Sequence, residues 1–182
     1  MKLTLRTALR FIALCMLALS LLSCSSHRPE QTVTYKPVKV HVDKDDYLRH
    51  NPCKLDDDQY ALVEEALGWL GTPYAYARDE KGKGTDCSGL TLRLYLDVLG
   101  VKLPRNSAKQ AEACKEIDKG KLRPCDLVFF ATGKDPERIS HVGMMLTDDE
   151  FIHASSRKGV VINSLSTPYY TRTYLKSGRV RR

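Results

Sequence analysis

The sequence predicts an α+β domain in which helices pack on an antiparallel β-sheet. Three observations carry this reading. Residues 56–113 hold apolar positions at helical spacing, the chain from Asp126 onward breaks into apolar runs of strand length, and turn-forming clusters separate those runs. Helices first and an antiparallel meander afterwards is α+β order.

The first helix is DDDQYALVEEALGWLG (56–71). It opens on Asp, sets Leu62, Ala66, Leu67, Trp69 and Leu70 along one face and stops at Gly71, which places Trp69 and Leu70 in the core. The second starts in TDCSGL (85–90), carries Leu90, Leu94 and Val98 on one stripe, and ends at Gly100. Cys87 stands three residues before Leu90, so the core-facing surface carries a thiol in its first turn. After LPRN, the stretch SAKQAEAC (107–114) predicts a short third helix, with Ser107 and Gln110 spaced as in a capping box.

Four strands follow: DLVFFA (126–131), SHVGMML (140–146), EFIHAS (150–155) and GVVIN (159–163). The hairpin between the second and third decides whether His141 and His153 meet. A two-residue turn would point His153 away from His141 and leave Phe151 exposed. A three-residue loop, Thr147 to Asp149, pairs Leu146 with Glu150 and Gly143 with His153. The histidines then share a face as diagonal neighbours about 7–8 Å apart at the backbone. The odd loop is the expectation, with Asp149 in the left-handed conformation that Asp tolerates.

The chain opens with Lys2, Arg6 and Arg10 ahead of an apolar run from Phe11 to Leu22, the pattern of an export signal. The run closes on LLSC, which resembles the lipobox of bacterial lipoproteins and implies lipid on Cys24. The expected organisation is a lipoprotein signal over 1–23, a polar tether over 24–51 with Pro29 and Pro37, and one compact domain over 52–182. Without the leader the net charge falls from +7 to +4. Basic residues are scattered except in the terminal SGRVRR, which excludes a clustered nucleic-acid footprint. Cys53, Cys87, Cys114 and Cys125 are spaced by 34, 27 and 11 residues and fit no zinc pattern. No metal or cofactor is expected, and the domain is read as a monomer.

A thiol attacks as thiolate, and a helix N-terminus together with a neighbouring imidazolium favours that form. Cys87 has the first, and His141 on a facing strand supplies the second. His153 on the same face would orient His141 through its other ring nitrogen, and the N–H of Cys87 would donate to an oxyanion. Taken singly, each has an ordinary structural role: a buried thiol, strand histidines bonded to backbone, and in Tyr74 a half-buried aromatic. Together they point to a cysteine hydrolase.

Six blocks in order, GTPY (71–74), TDCSGL (85–90), LPRNSAKQ (103–110), DLVFF (126–130), HVGM (141–144) and FIHAS (151–155), resemble the NlpC-type cell-wall peptidases, a compact branch of the papain-like fold. The resemblance covers about residues 66–182. It implies an endopeptidase that hydrolyses amide bonds in peptidoglycan stem peptides or cross-links, commonly between D-glutamate and a diamino acid. The lipid on Cys24 would hold it in the cell envelope, on the periplasmic side of an outer membrane, with the inner membrane as the alternative. The resemblance assigns Cys87 as nucleophile, His141 as base, His153 as the orienting residue and Tyr74 to the oxyanion. Asp86 and Ser88 match groove-lining positions, although Asp86 also suits a helix N-cap. Arg105 and Ser107 lie in a family motif but are not counted in the site. A related amidase or acyl-transfer enzyme and a non-catalytic wall-binding lipoprotein are the alternatives. Two departures stand out: Ala77 and Arg78 replace a common Gly-Gly pair, and Cys125 replaces the glycine before DLVFF. A disulfide between Cys114 and Cys125 is one option for these thiols.

Overall fold

The computed structural model describes residues 42–181. The predicted signal, the lipidation of Cys24 and most of the predicted tether lie outside the described residues. The last part of the tether does not behave as one. Helix α1, Lys44–Arg49, is capped by Asp43, buries Leu48, and sends the Tyr47 hydroxyl to Glu150 Oε2 at 2.7 Å. Six residues are too few to show a helical period in sequence, so its signal was only the Asp cap.

Helix α2, Asp57–Leu67, starts with the side chain of Asp56 bonded to the Gln59 N–H and the Gln59 side chain bonded back to the Asp56 N–H. It ends one turn earlier than predicted, with Gly68 at its C-cap. Trp69 is still buried, its Nε1 donating to Glu65 Oε1 at 3.0 Å. Gly71, at φ 78°, turns the chain into the loop that carries Tyr74, and that loop is tied down by Gly71 N to Val160 O and Val160 N to Thr72 O. A small ribbon of β1, Asp79–Glu80, and β2, Gly84–Thr85, leads into α3, Cys87–Leu99, which stops at left-handed Gly100 as predicted. In α4, Ser107–Ala113, the predicted capping box is replaced. Asn106 is the cap, accepting from Lys109 N, and Gln110 is fully buried.

The main sheet contains β3, Cys114–Ile117; β4, Leu127–Phe130; β5, His141–Met145; β6, Glu150–Ser155; β7, Gly159–Ser164; and β8, Tyr174–Val180. Its order is β3-β8-β4-β5-β6-β7, antiparallel throughout. The predicted meander is β4 to β7. The polar β3 and the glycine-containing β8 add to its edge, and between β7 and β8 a short α5, Pro168–Thr173, covers one face. Strand alternation gives the sheet two apolar faces. Leu127, Phe129, Val142, Met144, Ile152 and Ala154 join the helices in the larger core. Val128, Phe130, Met145 and Phe151 form a smaller one with Leu122 and Leu165, flanked by Tyr170 and Tyr174.

Met144 pairs with Ile152 and Met145 with Phe151, and Leu146 N bonds Glu150 O at 2.8 Å, so the hairpin has the predicted three-residue loop. Asp149 does not supply the left-handed residue. Among described non-glycine residues only Ala77 and Cys125 have positive φ. The turn is held instead by Thr147 Oγ1, which accepts from the N–H groups of Asp149 and Glu150. Phe151 stands on His153's face in this register and is buried there between Phe130 and Tyr170. The Cys114–Cys125 bridge is not formed: Cys53, Cys87 and Cys114 are free thiols, and Cys125 is a buried thiol whose Sγ points to Gln59 O at 3.7 Å. Cys125 has φ 72°, the conformation that suits the glycine it replaces.

Candidate active site

The thiol is mounted by a saturated carboxylate. Asp86 caps α3 through Oδ1 to Gly89 N at 2.9 Å, while Oδ2 accepts the N–H of Ala77 at 2.8 Å. Arg105 adds a two-pronged bond, Nη1 to Oδ1 at 2.6 Å and Nη2 to Oδ2 at 2.9 Å, and Nη2 also reaches Arg78 O. Ser88 Oγ donates to Arg105 O, and Gln110 Nε2 bonds Ser88 O and Pro104 O. The blocks around 85–90 and 103–110 are therefore one frame around the start of α3. Gly89 is required there, because a Cβ would lie 2.4 Å from Arg78 O.

The imidazoles come from neighbouring strands. His141 Nε2 lies 2.9 Å from His153 Nδ1, with the rings nearly perpendicular. His153 stacks on Phe151 and, through Nε2, meets Asn163 Oδ1 at 2.9 Å and the Tyr170 hydroxyl at 3.0 Å. Asn163 and Tyr170 were missed in the sequence. Asn163 lies opposite Phe151 in the β6–β7 register, one step along the same face from His153, so its signal was a polar residue at a face position. Tyr170 comes from the unpredicted α5 and left no usable signal.

Cys87, His141, His153 and Tyr74 line one cleft of about 590 Å³, together with Arg157, Tyr169 and Tyr170 among others. Cys87 packs against the larger core, whereas the imidazoles stand on the face of the smaller one. The cleft joins them where β5 begins. Asp86 and Ser88 are buried and do not line it; they hold the helix start from behind.

The electrostatics correct one expectation. Burial, helped by the Asp86 charge, pushes the Cys87 thiol up to about 11, although backbone hydrogen bonds from Val142, Ser88 and Cys87 itself pull the other way. Burial also lowers His141 to about 3, with the neighbouring His153 contributing, and His153 to about 4. Both directions favour uncharged groups, so the resting pair is neutral thiol and neutral imidazole, not the predicted ion pair. Desolvation outweighs the helix end because both partners sit in apolar surroundings. Burial raises Tyr74, and a thiolate at Cys87 would raise it further, so the phenol keeps its proton as a donor. The site thus offers a nucleophile, an oriented base, and donors for developing oxygen charge at the Tyr74 hydroxyl and the helix start.

This fold and this site define the class: a papain-like cysteine peptidase. The NlpC/P60 family profile matches residues 71–179, and the chain belongs to that family. It is 39% identical over 119 residues to "Probable endopeptidase NlpC" of Escherichia coli K12, covering 65% of this chain and 76% of that protein. It is 30% identical over 183 residues to "Murein DD-endopeptidase MepS/Murein LD-carboxypeptidase" of the same organism, covering 97% and 94%. A solved NLP/P60 family structure from Staphylococcus aureus, similar to lipoprotein, superposes with a TM-score of 0.62 at 31% identity, covering 72% of this chain and 44% of that one.

Proposed function

We propose that this protein is an envelope peptidoglycan endopeptidase, held at a membrane by lipid on Cys24, that cuts amide bonds in stem peptides or their cross-links. Cys87 attacks the carbonyl carbon as its proton passes to His141, and the carbonyl oxygen takes up the electron pair against Tyr74 and the helix-start N–H groups. The protonated His141 then gives that proton to the departing amine, and water resolves the thioester by the same route. The observation that carries the proposal is the His141 Nε2 to His153 Nδ1 contact at 2.9 Å, on the same cleft as Cys87.

The cleft supports an anionic peptide as substrate. Among the described residues, Arg157 is the one Lys or Arg side chain lining it, and no Asp or Glu does. Stem peptides carry free carboxylates that such a rim attracts. The membrane anchor is supported by the LLSC signature at the end of the apolar leader.

Digestion of purified sacculi, with products identified by mass spectrometry, tests the proposal. New amino termini on a diamino acid, absent with Cys87→Ala, are the expected result. The acyl partner then separates the two bonds: D-glutamate for cleavage within a stem, D-alanine for an opened cross-link. Release of whole stems from glycan would mark an amidase instead, and sacculi left intact would mark a wall-binding protein.

A further inference from the structure

We propose that Asn163 is a positioning residue whose amide oxygen fixes the tautomers of both site histidines, so that His141 presents an unprotonated Nδ1 to Cys87. The inference rests on the thiol–imidazole reading of the site and adds a fourth member to it.

The proton positions follow from one hydrogen bond to the next. A neutral imidazole carries one N–H, and a carbonyl oxygen can only accept. Asn163 Oδ1, 2.9 Å from His153 Nε2, therefore requires the hydrogen of His153 on Nε2. Nδ1 of His153 is then bare and acts as acceptor for the bond at 2.9 Å from His141 Nε2. That bond needs the hydrogen of His141 on Nε2, which leaves Nδ1 as its free lone pair. The thiol proton moves onto that nitrogen as the C–S bond forms, and the Nε2–H stays on His153 throughout. The reverse assignment would put the hydrogen on His141 Nδ1 and leave no base facing the thiol.

Tyr170 cannot make this choice. Its hydroxyl lies 3.0 Å from His153 Nε2 and 3.4 Å from Asn163 Oδ1, and a hydroxyl either donates or accepts. Donating to Oδ1, it turns a lone pair toward the Nε2–H and reinforces the direction that Asn163 sets. Position in the fold suits this role. Asn163 lies on β7 and Tyr170 on α5, both beyond the strands that carry the histidines, and among the described residues their side chains bond His153 and each other rather than the thiol's helix.

Long-range proton–nitrogen NMR of the imidazole nitrogens in the folded protein reads the tautomers directly. The expected spectrum has both His141 and His153 as the Nε2–H form. Asn163→Ala should give mixed tautomers at His153. It should also lower kcat on soluble muropeptides by about tenfold or more with KM unchanged, as for other partners that orient a histidine, and slow alkylation of Cys87 by iodoacetamide. Asn163→Asp keeps the acceptor and should restore the Nε2–H form and most of the rate, which a purely structural role would not predict. Wild-type His153 protonated on Nδ1, or Asn163→Ala with unchanged tautomers and alkylation, would overturn the proposal. Should Asn163→Ala fail to fold, the wild-type spectrum alone decides. The spectra and the alkylation need no substrate, so intact sacculi would remove the peptidoglycan reading and leave this one standing.

Discussion

Asp86 and Arg105 form a two-pronged ion pair, Oδ1 to Nη1 at 2.6 Å and Oδ2 to Nη2 at 2.9 Å, directly behind the residue that carries the thiol. The carboxylate is buried and also receives two backbone N–H groups, so it works as a bracket for the helix start rather than as a groove contact. Arg105→Ala leaves that charge without its partner and should cost about 2 kcal/mol, below the usual loss for a fully buried pair because Arg105 is partly exposed. Arg105→Lys keeps the charge but not the fork and should recover only part of the stability. Urea denaturation of the three proteins measures it, and equal midpoints would show that the bracket is idle.

Cys87→Ala should abolish hydrolysis and lower the melting temperature only slightly, because the change removes the covalent chemistry but only one sulfur atom at the edge of the larger core. His141→Ala should be almost as damaging, a loss on the order of 10³-fold or more in kcat. His153→Asn should be milder, since an amide oxygen still accepts a bond from His141 Nε2. Steady-state kinetics on muropeptides rank the three, and a worse lesion at His153 would reverse the two roles.

The resting site is neutral, and this predicts a pH profile. A thiol raised to about 11 beside imidazoles lowered to about 3 and 4 holds little thiolate at neutral pH. Alkylation of Cys87 by iodoacetamide, followed by mass spectrometry of its peptide, should keep accelerating from pH 7 to 10 without a plateau. A plateau through neutral pH would mean that a preformed ion pair exists after all.

Acid should destabilise the fold through the same rings. The unfolded chain protonates His153 near 6.5 and the folded chain only near 4, so unfolding takes up a proton between those values and stability falls as pH drops through the window. At pH 5 the loss from this nearly inaccessible ring is about 2 kcal/mol. His153→Asn should reduce, without abolishing, the dependence of melting temperature on pH between 6.5 and 5, because His141 keeps its own share; an unchanged slope would mean that His153 contributes none of it.

Ala77 occupies a left-handed conformation, φ 58°, where many relatives of this type were expected to carry glycine. Its N–H bond to Asp86 does not depend on the side chain. Ala77→Gly should therefore stabilise the protein by about 0.5–1 kcal/mol, the relief of left-handed strain less the entropy of the freer unfolded chain. Thermal unfolding would show the gain as a higher melting temperature; a decrease would mean that the methyl group packs usefully.

Much of this protein is determined by local pattern alone. The thiol's helix, with Asp86 ahead of it and Gly100 behind, is legible because capping and helical spacing are properties of adjacent residues. The meander from β4 to β7 is equally legible, and the hairpin register follows from period-two alternation once the loop length is odd. Four things were decided only in three dimensions. β8 entered the sheet beside β4, and Tyr170 came over the smaller core on a helix too short to read, because both depend on partners distant in sequence. Asp86 was turned away from the cleft by Arg105, nineteen residues on. The charge state of the site reversed, because a sequence displays a helix N-terminus and two histidines but not the desolvation that burial imposes on them.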